Sequence, residues 1–178
     1  VLFAGSAPKG LPEDTTANWA RLLKARGVLV AADQDGAQLK AMLAAKPFLI
    51  KPNDHELQAL LDLTDTELST RSQAALQLVR DGIAHVAISL GARGALFADG
   101  QGVLYAEGVR VDAVSTVGAG DALTAALLDA IQRNFSREEA AKRAVATATA
   151  KVTCPGSSAP SMEAIQRYLD LVIVTALQ

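Results

Sequence analysis

The sequence predicts an α/β fold: a mainly parallel sheet covered by helices, incomplete as a domain, with a β-hairpin near residues 95–106. Three observations carry this. Short apolar runs such as Phe48–Ile50 and Val86–Ile88 alternate with amphipathic stretches at helical spacing, which is the pattern of βαβ units. The runs lack alternating polar residues, as strands buried on both faces do. Finally, Val114–Ile131 reads V-S-T-V-G-A-G-D-A-L-T-A-A-L-L-D-A-I. It is a glycine turn feeding a helix, where unpaired amides and the helix dipole favour an anion.

In chain order, Val1–Ala4 reads as a strand and Gly5–Gly10 as a loop. Pro12 suits a first helical position, with Glu13 and Asp14 in the first turn. That helix carries Trp19, Leu22 and Leu23 as core residues and stops at Gly27. Val28–Ala32 is a buried strand ending at Asp33, and Gly36–Ala45 a helix with Leu39 and Leu43 four apart. The strand Phe48–Ile50 ends where Pro52 removes a donor, and Glu56–Leu61 forms a short helix. Ser69 opens the next helix, with Ala74, Leu78 and Val79 inward and Gly82 as its stop. Strand Val86–Ile88 leads into Ser89–Gly94, and Ala95–Ala98 pairs with Val103–Ala106 across Asp99–Gly102. Val109–Val111 is a last candidate strand. Ser136 with Glu139 is a capping box before an alanine-rich helix reaching about Val152. Ser161 caps a closing helix containing Ile165, Leu169 and Val172.

The 178 residues carry a net charge of −2 and are 50% hydrophobic. That supports a real core and argues against a nucleic-acid partner, which calls for a basic surface. The longest apolar run, Leu171–Leu177, is too short to span a bilayer, so no membrane partner is expected. The single cysteine, Cys154, permits no disulfide within the chain and fits a reducing, cytoplasmic setting. The start at Val1 reads as a strand already in progress, so the chain is expected to be cut from something longer.

An acid beside an anion cradle repels a phosphate. Asp121 makes sense there if it takes a proton from whatever attacks that phosphate. Taken alone, Asp121 is equally an ordinary first-turn acid favoured by the dipole. Glu56 alone is a first-turn acid, Lys51 alone a solvated lysine, Arg93 a surface arginine, and His55 and His85 structural or surface residues. No Gly-x-x-x-x-Gly-Lys-Ser/Thr occurs, and Gly91–Gly94 and Gly118–Gly120 both fall short of a dinucleotide fingerprint. Three loops follow apolar strands: Lys51–Glu56, Ser89–Gly94 and Thr116–Asp121. Ligands in open α/β sheets bind beyond the strands' carboxyl ends, so these loops are expected to converge.

Together the loops resemble the ribokinase-like (PfkB-type) carbohydrate kinases. Thr116–Asp121 is similar to that family's C-terminal signature, and Lys51-Pro52-Asn53-Asp54-His55-Glu56 to its N-x-x-E metal motif. Ser89-Leu90-Gly91-Ala92-Arg93-Gly94 resembles its nucleotide loop. Gly5–Gly10 and Ala45–Asn53 look most like the branch that holds 1-phosphofructokinases and tagatose-6-phosphate kinases. The resemblance implies a ribokinase-like α/β/α sandwich and ATP-dependent phosphorylation of a sugar phosphate, with fructose 1-phosphate going to the 1,6-bisphosphate, or alternatively a tagatose-6-phosphate kinase or 6-phosphofructokinase of the same family. It implies Asp121 as general base on the substrate hydroxyl and the amides of Gly118, Ala119 and Gly120 as an anion hole. Lys51, Asn53, Ser89, Leu90, Gly91, Ala92, Arg93, Gly94, Gly120 and Thr149 would serve ATP, and Asn53 and Glu56 would orient Mg²⁺ through water. K⁺ would sit on the main-chain carbonyls of Ser115, Val117, Lys151, Cys154, Gly156 and Ser158. It also implies that this chain is the C-terminal part of one kinase domain, that the sugar-gripping part and lid lie elsewhere, and that the full-length parent is a homodimer. The rival reading is a non-catalytic nucleotide-binding or assembly module.

Overall fold

The computed structural model describes residues 1–177. Seven strands form one mixed sheet in the order β1-β2-β3-β4-β5-β6-β7. They are β1 (Leu2–Ala4), β2 (Ala31–Asp33), β3 (Leu49–Ile50), β4 (His85–Ser89), β5 (Gly94–Asp99), β6 (Gly102–Glu107) and β7 (Val174–Leu177). The helices are α1 (Thr15–Lys24), α2 (Gly36–Ala45), α3 (Asp54–Leu61), α4 (Leu68–Arg80), α5 (Ala119–Gln132), α6 (Arg137–Val152) and α7 (Met162–Leu169). The chain divides into two compact units, residues 1–88 with 97–103, and residues 89–96 with 104–178.

In the first unit β1 to β4 are parallel, with Leu2 opposite Ala31, Ala31 opposite Leu49 and Leu49 opposite His85. Parallel pairing puts the carboxyl ends of these strands at one edge. Leu39, Met42, Leu49, Ile50, Leu57 and Ile88 are fully buried, each worth about 1.5–3 kcal/mol of transfer free energy. Helix α1 departs from expectation twice. It starts at Thr15, so Pro12, Glu13 and Asp14 lie before it rather than in its first turn. It also buries Thr16, Ala17 and Ala20, while Trp19 is 48% and Leu22 64% exposed, so these two are not core. The small-residue face lets α1 approach α2 closely, and the indole rests instead against Phe3, 6.3 Å between ring centroids.

Helix α4 supplies a clamp on the start of α3. Arg71 is wholly buried, and its Nε lies 2.6 Å from Asp54 Oδ1. Its Nη1 donates to the Asp65 carbonyl and lies 3.6 Å from the Asp65 carboxylate. A buried guanidinium is tolerated only when its charge is matched. Arg71→Ala would remove the buried half of the Arg71–Asp54 ion pair and open a cavity, and is expected to cost about 3 kcal/mol or more, read by urea unfolding.

In the second unit α5 packs on α6, and α6 on α7. Ala140, Ala141, Ala144 and Ala146 are buried, so the alanine-rich composition of α6 serves close helix packing. Ser136 Oγ accepts from Glu139 N at 3.2 Å, but the Glu139 carboxylate turns to Arg143, 2.7 Å away, so the expected box is half made. Val109–Val111 is not a strand, and the closing helix ends at Leu169, short of Val172. Residues 174–177, inside the apolar run, form β7. Among the described residues no helix is long and apolar enough to cross a membrane.

Candidate active site

The expected site residues fall in both compact units. In the first, Lys51 follows β3 and is not solvated: it is 5% exposed, and its Nζ lies 2.9 Å from Asp33 Oδ1. Asp33, the last residue of β2, went unnoticed in the sequence, where it reads only as a strand end. Parallel pairing of β2 with β3 brings the two residues to the same edge. The Asn53–Glu56 pair is a true capping box. Asn53 Oδ1 accepts from Glu56 N at 2.9 Å, and Glu56 Oε2 accepts from Asn53 N at 2.8 Å. N-x-x-E is thus the spacing that closes a helix N-terminus on itself. The lock leaves Glu56 half-buried in a fixed rotamer at the electropositive end of α3. His55 is exposed, and His85 packs edge-on against Phe48, 4.7 Å between centroids.

In the second unit Ser89 ends β4, and Gly91–Arg93 form a single 3₁₀ turn. Leu90 is buried, while Gly91, Ala92 and Arg93 are exposed. The turn closes through Leu90 N to the Gly94 carbonyl at 2.8 Å. Its far side is held from β6. The Arg93 carbonyl accepts both from Gly108 N at 3.0 Å and from the Tyr105 hydroxyl at 2.7 Å. Burial, with the nearby Glu107 carboxylate, pushes the Tyr105 phenol above its ordinary 10.0 against the opposing pull of Arg93, so it stays a donor at neutral pH. Tyr105 and Gly108 carry no motif signal, because their role exists only once β6 lies beside the loop.

The glycine turn opens α5. Gly118 is the N-cap with φ +79°, a left-handed conformation that disfavours any side chain. Ala119 N donates to the Thr116 carbonyl at 3.2 Å, so of the three expected anion-hole amides this one already has an acceptor. The Gly118 and Gly120 amides donate to no backbone carbonyl among the described residues. Buried Thr124 hydrogen-bonds the Gly120 carbonyl at 2.9 Å and braces the turn from below. Asp121 stands in the first turn, exposed. A Cβ built on Gly118 would lie 3.9 Å from Asp121 Oδ2 and 3.2 Å from Lys151 Cε. Carboxylate, glycine turn and lysine therefore meet at one point. Thr149 is buried in α6.

The segments expected to offer carbonyls to K⁺ also lie in this unit. Ser115 N donates to the Val152 carbonyl at 3.1 Å, and Ser115 Oγ accepts from Val117 N at 3.3 Å. The Lys151 carbonyl accepts from Cys154 N at 3.0 Å, and the Gly156 carbonyl accepts from Lys151 Nζ at 2.7 Å. Cys154 Sγ rests on the Ala150 carbonyl at 3.3 Å, and Ser158 N donates to the Pro155 carbonyl at 3.2 Å.

Fold and site define an α/β protein with parallel strands β1–β4 and, at the start of α5, a glycine turn carrying a first-turn acid near a buried lysine. The pfkB family carbohydrate kinase model matches residues 1–165, and the chain belongs to that family. It is 35% identical over 179 residues to the 1-phosphofructokinase of Haemophilus influenzae, covering 100% of this chain and 57% of that protein. It superposes on a putative phosphofructokinase from Staphylococcus aureus with a TM-score of 0.91 at 29% identity, covering 100% of this chain and 57% of the other. Phosphofructokinase-2 from Escherichia coli, solved with substrates and products, gives a TM-score of 0.90 at 30% identity, covering 96% of this chain and 56% of the other. The chain thus spans a little over half the length of the relatives it matches.

Proposed function

We propose that the protein carrying this chain transfers the terminal phosphoryl group of ATP to a hydroxyl of a sugar phosphate, with fructose 1-phosphate as acceptor and the 1,6-bisphosphate as product. The observation that supports this most is the opening of α5, where an exposed carboxylate shares one turn with two amides that donate to no backbone carbonyl. Phosphoryl transfer requires little covalent chemistry from the protein, only positioning and fixed charge. On this reading Asp121 accepts the hydroxyl proton as the oxygen attacks, and the Gly118 and Gly120 amides face the oxygens of the phosphoryl group in flight. The exposed Gly91–Arg93 turn shapes the nucleotide site, and Lys51, set by Asp33, aims its charge at the phosphates.

The donor set at Asn53 and Glu56 fits Mg²⁺ held through water. Among the described residues no group of three or more His, Cys, Asp or Glu side chains forms an all-protein cage, and Mg²⁺ keeps most of its waters. Bound there, the ion would neutralise charge on the β- and γ-phosphates. Glu56→Gln keeps the cap geometry but weakens the oxygen facing that water. It is expected to raise the Mg²⁺ concentration for half-activation about ten-fold.

A coupled ADP-release assay with fructose 1-phosphate, tagatose 6-phosphate and fructose 6-phosphate tests the reading. Faster ADP release with fructose 1-phosphate than with the other two supports it. Release favouring one of the others moves the acceptor within the same class. ATP binding with no sugar-dependent release by the protein that carries this chain would sink the kinase reading and leave the non-catalytic module.

A further inference from the structure

The resemblance places K⁺ on carbonyls of residues 115, 117, 151, 154, 156 and 158, and phosphofructokinase-2 from Escherichia coli has been solved in complex with potassium. The residues of this chain do not fit that ion. Lys151 is 4% exposed, and its Nζ donates to the Gly156 carbonyl at 2.7 Å. An oxygen already matched to an ammonium has no need of a second cation, and two like charges at contact distance repel strongly where water is scarce. The lysine is also not free to swing away. Its stem is buried in the last turn of α6, and its Cε lies 3.2 Å from where a Gly118 Cβ would stand. Asp121 Oδ2 is 3.9 Å from that same point.

We propose that Lys151 is a built-in cation: its ammonium stands where the resemblance places the monovalent ion, ties the 154–158 loop to the foot of the glycine turn, and makes turnover independent of K⁺. This rests on the reading of the Asp121 turn as the seat of phosphoryl transfer. Lys151 is then a positioning residue. No bond to it forms or breaks. It contributes a fixed positive charge behind amides that face a developing negative one, with no ion to recruit and no binding equilibrium to satisfy.

The test measures activity and thermal unfolding of the protein carrying this chain in tetramethylammonium, Na⁺ and K⁺ chlorides at equal ionic strength. The wild type is expected to show the same kcat in all three salts and a Tm that K⁺ does not raise above Na⁺. Lys151→Met keeps the apolar stem and removes the charge. It is expected to retain its fold and ATP binding while kcat falls about 100-fold. Lys151→Ala empties the space. K⁺ or NH₄⁺ is expected to restore about a tenth or more of the wild-type kcat and to raise the Tm of this variant alone, as an ion bound only to the folded state must. Activation of the wild type by K⁺ overturns the proposal, and so does a Lys151→Met enzyme with wild-type kcat. Should Lys151→Met not fold, the salt series on the wild type decides by itself. Full turnover by Asp121→Asn would instead bring down the underlying reading of the Asp121 turn as the seat of phosphoryl transfer, and leave the kinase activity itself standing.

Discussion

Asp121→Asn is expected to lower kcat by about a thousand-fold while ATP binding persists, because a positioned general base contributes roughly 10²–10⁴-fold to proton transfer. The change is isosteric and removes only the proton acceptor. Asp121 is exposed in the first turn of α5, so losing its charge leaves no buried partner unmatched. The fold and the Gly118 turn should survive, as near-wild-type unfolding and unchanged nucleotide titration would show. A second effect has the opposite sign: removing an anion from the cradle lessens repulsion of the phosphates, so ATP affinity should hold or rise. Loss of nucleotide binding together with turnover would mean that Asp121 serves the turn's structure and is not the base. Retained turnover would move the base elsewhere.

Gly94→Ala is expected to have the largest effect on stability, about 3 kcal/mol or more, from left-handed backbone strain and overpacking together. Gly94 has φ +101°, and an added Cβ would fall 2.1 Å from the Ala106 carbonyl oxygen and 2.5 Å from Gly108 N. Both atoms are backbone, so no side chain can move aside. Gly94 closes the 3₁₀ turn of the 89–94 loop, and the facing Gly108 is equally tight, since a Cβ added there would fall 2.1 Å from the Ala92 carbonyl oxygen. The clash would push β6 away from the loop, and the hydrogen bonds from Tyr105 and Gly108 to Arg93 would be lost with it. Gly100 is the control: nothing lies within 4 Å of a Cβ placed there, and Gly100→Ala should unfold within about 0.5 kcal/mol of wild type. Equal urea midpoints for the two variants would refute the packing argument.

The elements most legible in the sequence were those whose signals are local. Helix α2 runs from Gly36 to Ala45 as expected, because its start follows a strand end and its apolar residues keep helical spacing. The hairpin extends one residue beyond each expected strand end, because Asp99 and Gly102 bracket a two-residue turn, with Asp99 Oδ1 accepting from Gln101 N at 2.8 Å. Failures came where a neighbour decides. Trp19 and Leu22 have the spacing of a core stripe, yet α1 turns its alanines inward to meet α2. The 171–177 run has no helix-breaking residue, and its last part becomes β7 at the end of the strand order, with Glu107 N donating to the Ile173 carbonyl at 2.9 Å. Strand identity there depends on a partner some 66 residues earlier, which no local window contains.

Residue types and their spacing, read with the family resemblance, singled out Lys51, Asn53, Glu56, Ser89–Gly94 and Gly118–Asp121 as candidate positions, because turn glycines, caps and first-turn acids act over a few residues. Tertiary structure alone decided which charges meet. It put Lys51 on Asp33, Arg71 on Asp54, and the Lys151 ammonium on Gly156. Of these pairs only the last joins residues near in sequence, and even there the direction taken by a flexible stem is set by what buries it. Burial makes unmatched charge costly, so the fold, and not the motif, selects each partner.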